Sequence, residues 1–200
     1  MTYRLLRDLG TRISIVGKAF EITIGSTRMD VFLHLLQTSD ARALLEFEVD
    51  NRDWFEMSVP PREESFYSLS GVEKQIASFL AEYESDEMIP MLIKDEQGII
   101  CGRINVRDID EHGERGELGY RVGHSFSSKG IASNAVRKLL IYLAEHSSLK
   151  YVDAYALGGN VGSNKILSKA GFGLVERVEN YALFKGQNQD ANYYRKVLAE

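Results

Sequence analysis

The sequence predicts an α/β fold with a mixed sheet, and three observations lead there. Runs with strand-like alternation of apolar and polar residues take turns along the chain with segments of helical spacing. Two turn signals, Gly17-Lys18 and Asp95-Glu96-Gln97-Gly98, join neighbouring strand-like runs as hairpins. Residues 117–145 then read as a strand, a loop of glycine and small residues, and a helix. Strands and helices interleaved in this way pack as a sheet with helical cover.

In chain order, residues 11–15 and 20–24 flank Gly17-Lys18 as the first hairpin, and residues 31–36 form a further apolar strand. Ser39-Asp40 is a capping signal for a helix over residues 41–49, whose apolar surface comes from Leu44, Leu45 and Phe47. Residues 51–70, with Trp54, Phe55 and two prolines, read as an ordered but irregular loop. Helical spacing returns over residues 71–84 through Val72, Ile76, Phe79 and Leu80. Strands at 88–94 and 99–106 meet at the Asp95–Gly98 turn, and 115–122 is the next strand. A helix over 133–145, a strand at 151–157, a short helix over 162–169 and closing strands near 173–178, 181–185 and 192–198 complete the chain. There is no internal repeat, low-complexity tract or linker.

Composition narrows the function. The chain has 200 residues of which 44% are apolar, enough for one domain with a substantial core. No apolar run approaches the roughly 20 residues that span a bilayer, and the N-terminus lacks the pattern of a signal peptide, so the expectation is a cytoplasmic protein with no membrane partner. A formal charge of −5 speaks against a nucleic-acid partner. The single cysteine, Cys101, lies in an apolar strand pattern and reads as core filling. His34, His112 and His146 have no metal-ligand spacing, and no metal is expected.

Two stretches carry chemistry. In the first, the helix that follows the strand at residue 117 begins with backbone N–H groups that lack intrahelical partners and sit at the positive end of the helix dipole. Such a start binds phosphate. Gly130 allows close approach, Ala132 keeps the helix start slim and Lys129 adds charge at the rim. In the second, Asn160 and Ser163 open the short helix directly after a strand. Gly171 stands where a left-handed C-cap is needed, and Phe172 follows as a buried anchor.

Together these residues resemble the GNAT acetyltransferases, most closely the RimJ/RimL branch that acetylates ribosomal-protein N-termini. The resemblance runs from about Arg28 to the C-terminus. It is carried by Asp40-Ala41, Leu118-Gly119-Tyr120, Lys129-Gly130-Ile131-Ala132, Asn160 with Ser163, and Ala170-Gly171-Phe172. It implies a mixed, mostly antiparallel sheet whose central parallel strand pair splays to hold CoA, with helices on both faces. It also implies acetyl-CoA as cosubstrate. The backbone of Tyr120, Arg121 and Val122 would pair with pantetheine like an added strand. The amides of Ser128, Lys129, Gly130, Ile131, Ala132 and Ser133 would cradle the pyrophosphate, with Asn160 and Ser163 lining the cleft.

The chain departs from the family at two places. The loop opens with Ser127 where Gln or Arg is usual, leaving a hydroxyl to meet phosphate. Leu167 occupies the place of a tyrosine that protonates the departing thiolate in many members, and in the RimJ/RimL branch that role falls to a serine, here Ser163. Glu117 is placed to act as general base, directly or through water. An N–H of Arg121 or Val122 would serve as oxyanion donor. The acceptor implied is a protein N-terminal amine, whose ordinary pKa near 8 demands little base assistance. A small-molecule amine acceptor such as a polyamine, amino sugar or amino acid, and a CoA-binding module without catalysis, stay open as alternatives. Residues 1–27 fall outside the resemblance as an N-terminal extension with an extra hairpin, and 28–200 would form a single domain. An edge hairpin would pair within the chain or with a second copy as a homodimer. Met29 is an alternative start.

Overall fold

The computed structural model describes residues 12–16, 19–23, 30–184 and 186–198. The expected Gly17-Lys18 turn and Met29 lie outside the described residues. Nine strands make one sheet. They are β1 (Arg12–Val16), β2 (Ala19–Thr23), β3 (Phe32–Leu35), β4 (Ile89–Lys94), β5 (Ile100–Arg107), β6 (Arg115–Val122), β7 (Tyr151–Leu157), β8 (Gly173–Phe184) and β9 (Gln187–Val197). Their order is β1-β2-β3-β4-β5-β6-β7-β9-β8, and every neighbouring pair is antiparallel except β6 with β7. The helices are α1 (Ala41–Asp50), α2 (Arg52–Glu56), α3 (Leu69–Glu84), α4 (Ile131–His146) and α5 (Val161–Lys169). Among the described residues no helix is long and apolar enough to cross a membrane.

Two cores cover the two faces of the sheet. On one face, Ile131, Ala135, Leu139 and Leu143 of α4, with Leu167 of α5 and Phe172, pack on Met91, Ile93, Ile104 and Leu118. On the other, Leu44 and Phe47 of α1, Phe55 of α2 and Val72 and Ile76 of α3 close over Leu36 and Leu92. Alternation along β4 decides the division, since Met91 and Ile93 join the first core and Leu92 the second. Cys101 lies in the first core, its thiol pushed up to about 12 by burial and then by Asp95.

The local signals behave as their chemistry requires. In the β4–β5 turn Gly98 takes φ +81°, and the Asp95 carboxylate accepts the N–H groups of Gln97 and Ile99 at 3.0 and 2.8 Å. Gly171 ends α5 at φ +82°, the Phe172 N–H returns to the Leu167 carbonyl at 3.1 Å, and Phe172 is buried.

Four expectations are corrected. Residues 51–70 contain α2 and a 3₁₀ turn, Glu64–Phe66, because Phe55 and Phe66 anchor the segment in the second core. Asp40 does not cap α1 with its side chain; its carboxylate accepts the Gln37 N–H at 2.9 Å and Lys94 Nζ at 2.8 Å. The helices expected from residues 71 and 133 begin at Leu69 and Ile131. Ser68 caps α3 by accepting the Gly71 N–H, and the left-handed Gly130, at φ +79°, sets the start of α4. The three closing strands are two, since β8 runs unbroken through an irregularity between Val178 and Ala182. Asn180 there takes φ +52° and mimics a turn in the sequence.

Candidate active site

The sheet opens at its one parallel pair. β6 and β7 are paired at only three positions, Arg115 with Tyr151, Gly116 with Val152 and Glu117 with Asp153. Past that point β6 stays paired with β5 as far as Val122, and β7 stays paired with β9 as far as Leu157. The strands therefore part from each other while each keeps its outer neighbour.

Backbone alternation assigns the groups that line the gap. The Gly123 N–H bonds to the Cys101 carbonyl at 2.9 Å, so odd residues of β6 direct their backbone groups into the β5 ladder and even residues direct theirs to the cleft. Tyr120 and Val122 thus present their backbone to the gap. Arg121 turns its N–H to β5 instead, which removes it from the backbone roles expected of it. The Val122 carbonyl accepts the Trp54 indole N–H at 3.0 Å. On the far side, the Leu157 carbonyl is held by the Asn160 N–H at 2.8 Å and Asn164 Nδ2 at 3.0 Å.

The loop past the end of β6 leads into a helix start with free amides. A 3₁₀ turn over His124–Phe126 leads into it, Ser128 takes φ +59° and Gly130 φ +79°. The first α4 bond runs from the Asn134 N–H to the Gly130 carbonyl at 3.0 Å, so the N–H groups of Ile131, Ala132 and Ser133 have no partner within the helix. The Ile131 side chain is in the core, leaving only its backbone to contribute. The Ser127 N–H bonds to the His124 carbonyl at 3.1 Å, and the residue is half-buried. Lys129 is exposed, its Nζ 6.0 Å from the centroid of the Phe126 ring.

α5 forms the opposite lip. Asn160 Oδ1 accepts the Ser163 N–H at 3.0 Å, which makes Asn160 the helix cap. Asn164 ties the helix down: its Oδ1 accepts from Asn192 Nδ2 at 2.7 Å and from the Tyr194 hydroxyl at 2.9 Å. The Tyr120 hydroxyl is buried and makes no hydrogen bond among the described residues. Burial raises its pKa, with Ser163 acting in the opposite sense. Leu167 is only 1% exposed and belongs to the core.

On the other face of β6 lie Glu117, Gly119 and Arg121. One oxygen of Glu117 is held by Arg107, and the side chain is 21% exposed. Across the last paired position, Asp153 accepts from Arg195 at 2.7 and 2.9 Å and from the Tyr193 hydroxyl at 2.9 Å. Tyr155 stacks between Tyr181 and Tyr193, with 4.9 Å between ring centroids on each side. A Cβ added at Gly119 would meet nothing within 4 Å, so the space over that residue is open. Past the end of β6, Trp54 packs on His124 at 4.8 Å, and Asn51 Oδ1 accepts the His124 N–H at 2.7 Å.

Beneath α1 lies a charge cluster absent from the expected site. Glu48 is fully buried; its Oε1 accepts from Arg103 Nη1 at 2.7 Å and its Oε2 from Arg121 Nη1 at 3.2 Å. Burial alone pushes the Glu48 carboxyl up, but Arg103 and Arg121 more than offset it and hold the carboxyl below its ordinary range. The sequence does carry a signal for this pair. Glu48 stands four residues after Leu44, on the apolar face of α1, and Arg103 interrupts an apolar strand.

A sheet opened at a parallel pair, beside a helix start with free amides, is the architecture of an acyltransferase of the GNAT type. Residues 30–173 match the family Acetyltransferase (GNAT) domain, and the chain belongs to that family of N-acetyltransferases. Among curated relatives, "Putative ribosomal N-acetyltransferase YdaF" of Bacillus subtilis is 27% identical over 175 residues, covering 85% of this chain and 92% of the relative. The solved ribosomal-protein-S5-alanine acetyltransferase of Vibrio fischeri superposes with a TM-score of 0.82 at 20% identity, over 91% of this chain and 97% of that one. RimL, the ribosomal L7/L12 α-N-protein acetyltransferase, solved in complex with coenzyme A, gives 0.78 at 20% identity, over 86% of this chain and 96% of that one. The two structures establish the shared fold.

Proposed function

We propose that this chain transfers the acetyl group of acetyl-CoA to a protein N-terminal amine by direct attack in a ternary complex. The observation that carries the reading is the three-residue pairing of β6 and β7, which leaves the backbone of Tyr120 and Val122 unpaired within the sheet beside the amides at the start of α4. An extended pantetheine arm fits that edge as a strand would. The N–H groups of residues 128–133 and the Ser127 hydroxyl suit the pyrophosphate. The names of the ribosomal N-acetyltransferase relative and of RimL favour a protein N-terminus as acceptor.

In this reading Glu117, at the point where the strands part, receives the proton of the attacking amine, directly or through water. The Val122 N–H, aimed into the cleft, stabilises the oxygen on which charge develops. Ser163, capped by Asn160 and beside the Tyr120 hydroxyl, delivers a proton to the departing sulfur. The groove over Gly119 admits the acceptor from the face opposite α4.

The test is CoA release from acetyl-CoA with a panel of amines: short peptides with free N-termini, polyamines, amino sugars and amino acids. The expected result is turnover on peptide N-termini, which is abolished when the α-amine is blocked. Thermal stabilisation by CoA without turnover on any amine overturns the enzymatic reading, and an absence of CoA binding overturns the cleft itself.

A further inference from the structure

The groove wall under α1 and α2 carries more positive charge than its own carboxylate balances. Arg103 is 4% exposed and fully engaged, donating from Nη1 to Glu48 at 2.7 Å and to Gln75 Oε1 at 2.8 Å. Arg121 has only the longer 3.2 Å bond to the other Glu48 oxygen, and 27% of its side chain is open to solvent. Arg62 completes the group. Its guanidinium carbon lies 4.3 Å from the centroid of the Phe66 ring, and its Nε is buried without a hydrogen bond among the described residues. Burial, and then the charge of Arg121, pushes the Arg62 guanidinium down to about 10.

Two cations that share one buried carboxylate, one of them with an orphaned donor, are stabilised by a further oxyanion that accepts from both. Gly119, where an added Cβ would meet nothing within 4 Å, lies on the same face of β6 as Arg121. Gly119 is two residues from Arg121 on β6, about 7 Å, and Glu117 is four residues away, about 13 Å. We infer that Arg62 and Arg121 form an oxyanion subsite of the acceptor groove, so that the preferred acceptor bears a carboxylate or phosphate about 7–13 Å from its amine. For a peptide this is an acidic side chain in the second or third position; for a small amine it is an anionic group at the other end of the molecule. The inference deepens the acetyl-transfer reading and takes the position of the amine from it.

Trp54, the only tryptophan in the chain, stands beside β6 and reports binding separately from turnover. With the protein saturated in CoA, its fluorescence is titrated with serine-initiated hexapeptides that differ only by Asp or Asn in the second position, or by Glu or Gln in the third. Glucosamine and glucosamine 6-phosphate form a parallel pair. The expected result is binding about tenfold tighter for the acidic member. The preference collapses toward unity in Arg62→Met and is retained in Arg62→Lys. A preference confined to the phosphorylated sugar supports the subsite and assigns it to small amines. Acidic preference without acetylation keeps the subsite and removes the transfer reading. Equal binding within every pair for the wild-type protein overturns the inference.

Discussion

Glu48→Gln keeps the shape of the side chain and removes the carboxylate that Arg103 and Arg121 share. Removing one partner of a buried ion pair costs about 3–5 kcal/mol, because the other charge stays buried and unpaired. Arg103, at 4% exposure, meets that condition. Arg121, 27% exposed, adds little because solvent screens it. The new amide oxygen can still accept from Arg103, and a hydrogen bond of that kind returns about 1 kcal/mol. The net loss is about 2–4 kcal/mol, which for a chain of this length lowers Tm by roughly 4–16 °C. Thermal melting followed by circular dichroism at pH 7 reads it directly. The pH dependence gives a second check. A carboxyl held below its ordinary range adds stability above the unfolded pKa of about 4.3 and loses that contribution as pH falls through the folded value. The gap between wild type and variant therefore narrows in acid. A Tm change under about 2 °C at pH 7, or a gap that stays constant into acid, refutes the reasoning.

Three further outcomes follow from the cleft. Gly119→Leu starts from a Cβ position with nothing within 4 Å, so the expected result is an intact fold and intact CoA binding while kcat/KM for the acceptor falls by at least about tenfold; an unchanged acceptor KM places the acceptor path elsewhere. Gly130→Ala forces an L-residue to φ +79° at the start of α4, costing about 1–2 kcal/mol and weakening CoA binding about tenfold by isothermal titration, and an affinity within twofold of wild type removes the loop from pyrophosphate binding. Ser163→Ala lowers kcat by about 100-fold if that hydroxyl protonates the sulfur, and a loss under about threefold passes the role to another group, with Tyr120→Phe the next variant to measure.

The strands and helices were readable where one physical signal governed them. The β4–β5 turn needed an Asp and a left-handed Gly, and both stand in the sequence; the end of α5 needed Gly171 and Phe172. The short helix α2 escaped because five residues of Arg52–Glu56 are too few for a period to register beside two prolines. Asn180 looked like a turn because a left-handed residue in a bulge uses the same chemistry as one between strands. In the candidate site, Gly130 and the cap at Asn160 were legible because they are side-chain or glycine requirements. The division of labour along β6, with Tyr120 and Val122 facing the gap and Arg121 facing β5, was not, since it depends on which neighbour each strand keeps. Glu48 on the apolar face of α1 and Arg103 within an apolar strand each hint at burial, but only the packing of α1 on β5 shows that they meet as a buried pair.

The short β6–β7 ladder also bears on how the protein avoids sticking to itself. Unpaired strand edges usually lie at the rim of a sheet, where a second chain can dock along them and start aggregation. Here two such edges face inward, flanked by α4 and α5 on one side and by α1 and α2 on the other. Trp54 and Asn164 further occupy the carbonyls at the ends of the gap. An edge held inside the molecule in this way is not offered to a second chain, so the opening between β6 and β7 does not carry the hazard of a free outer strand.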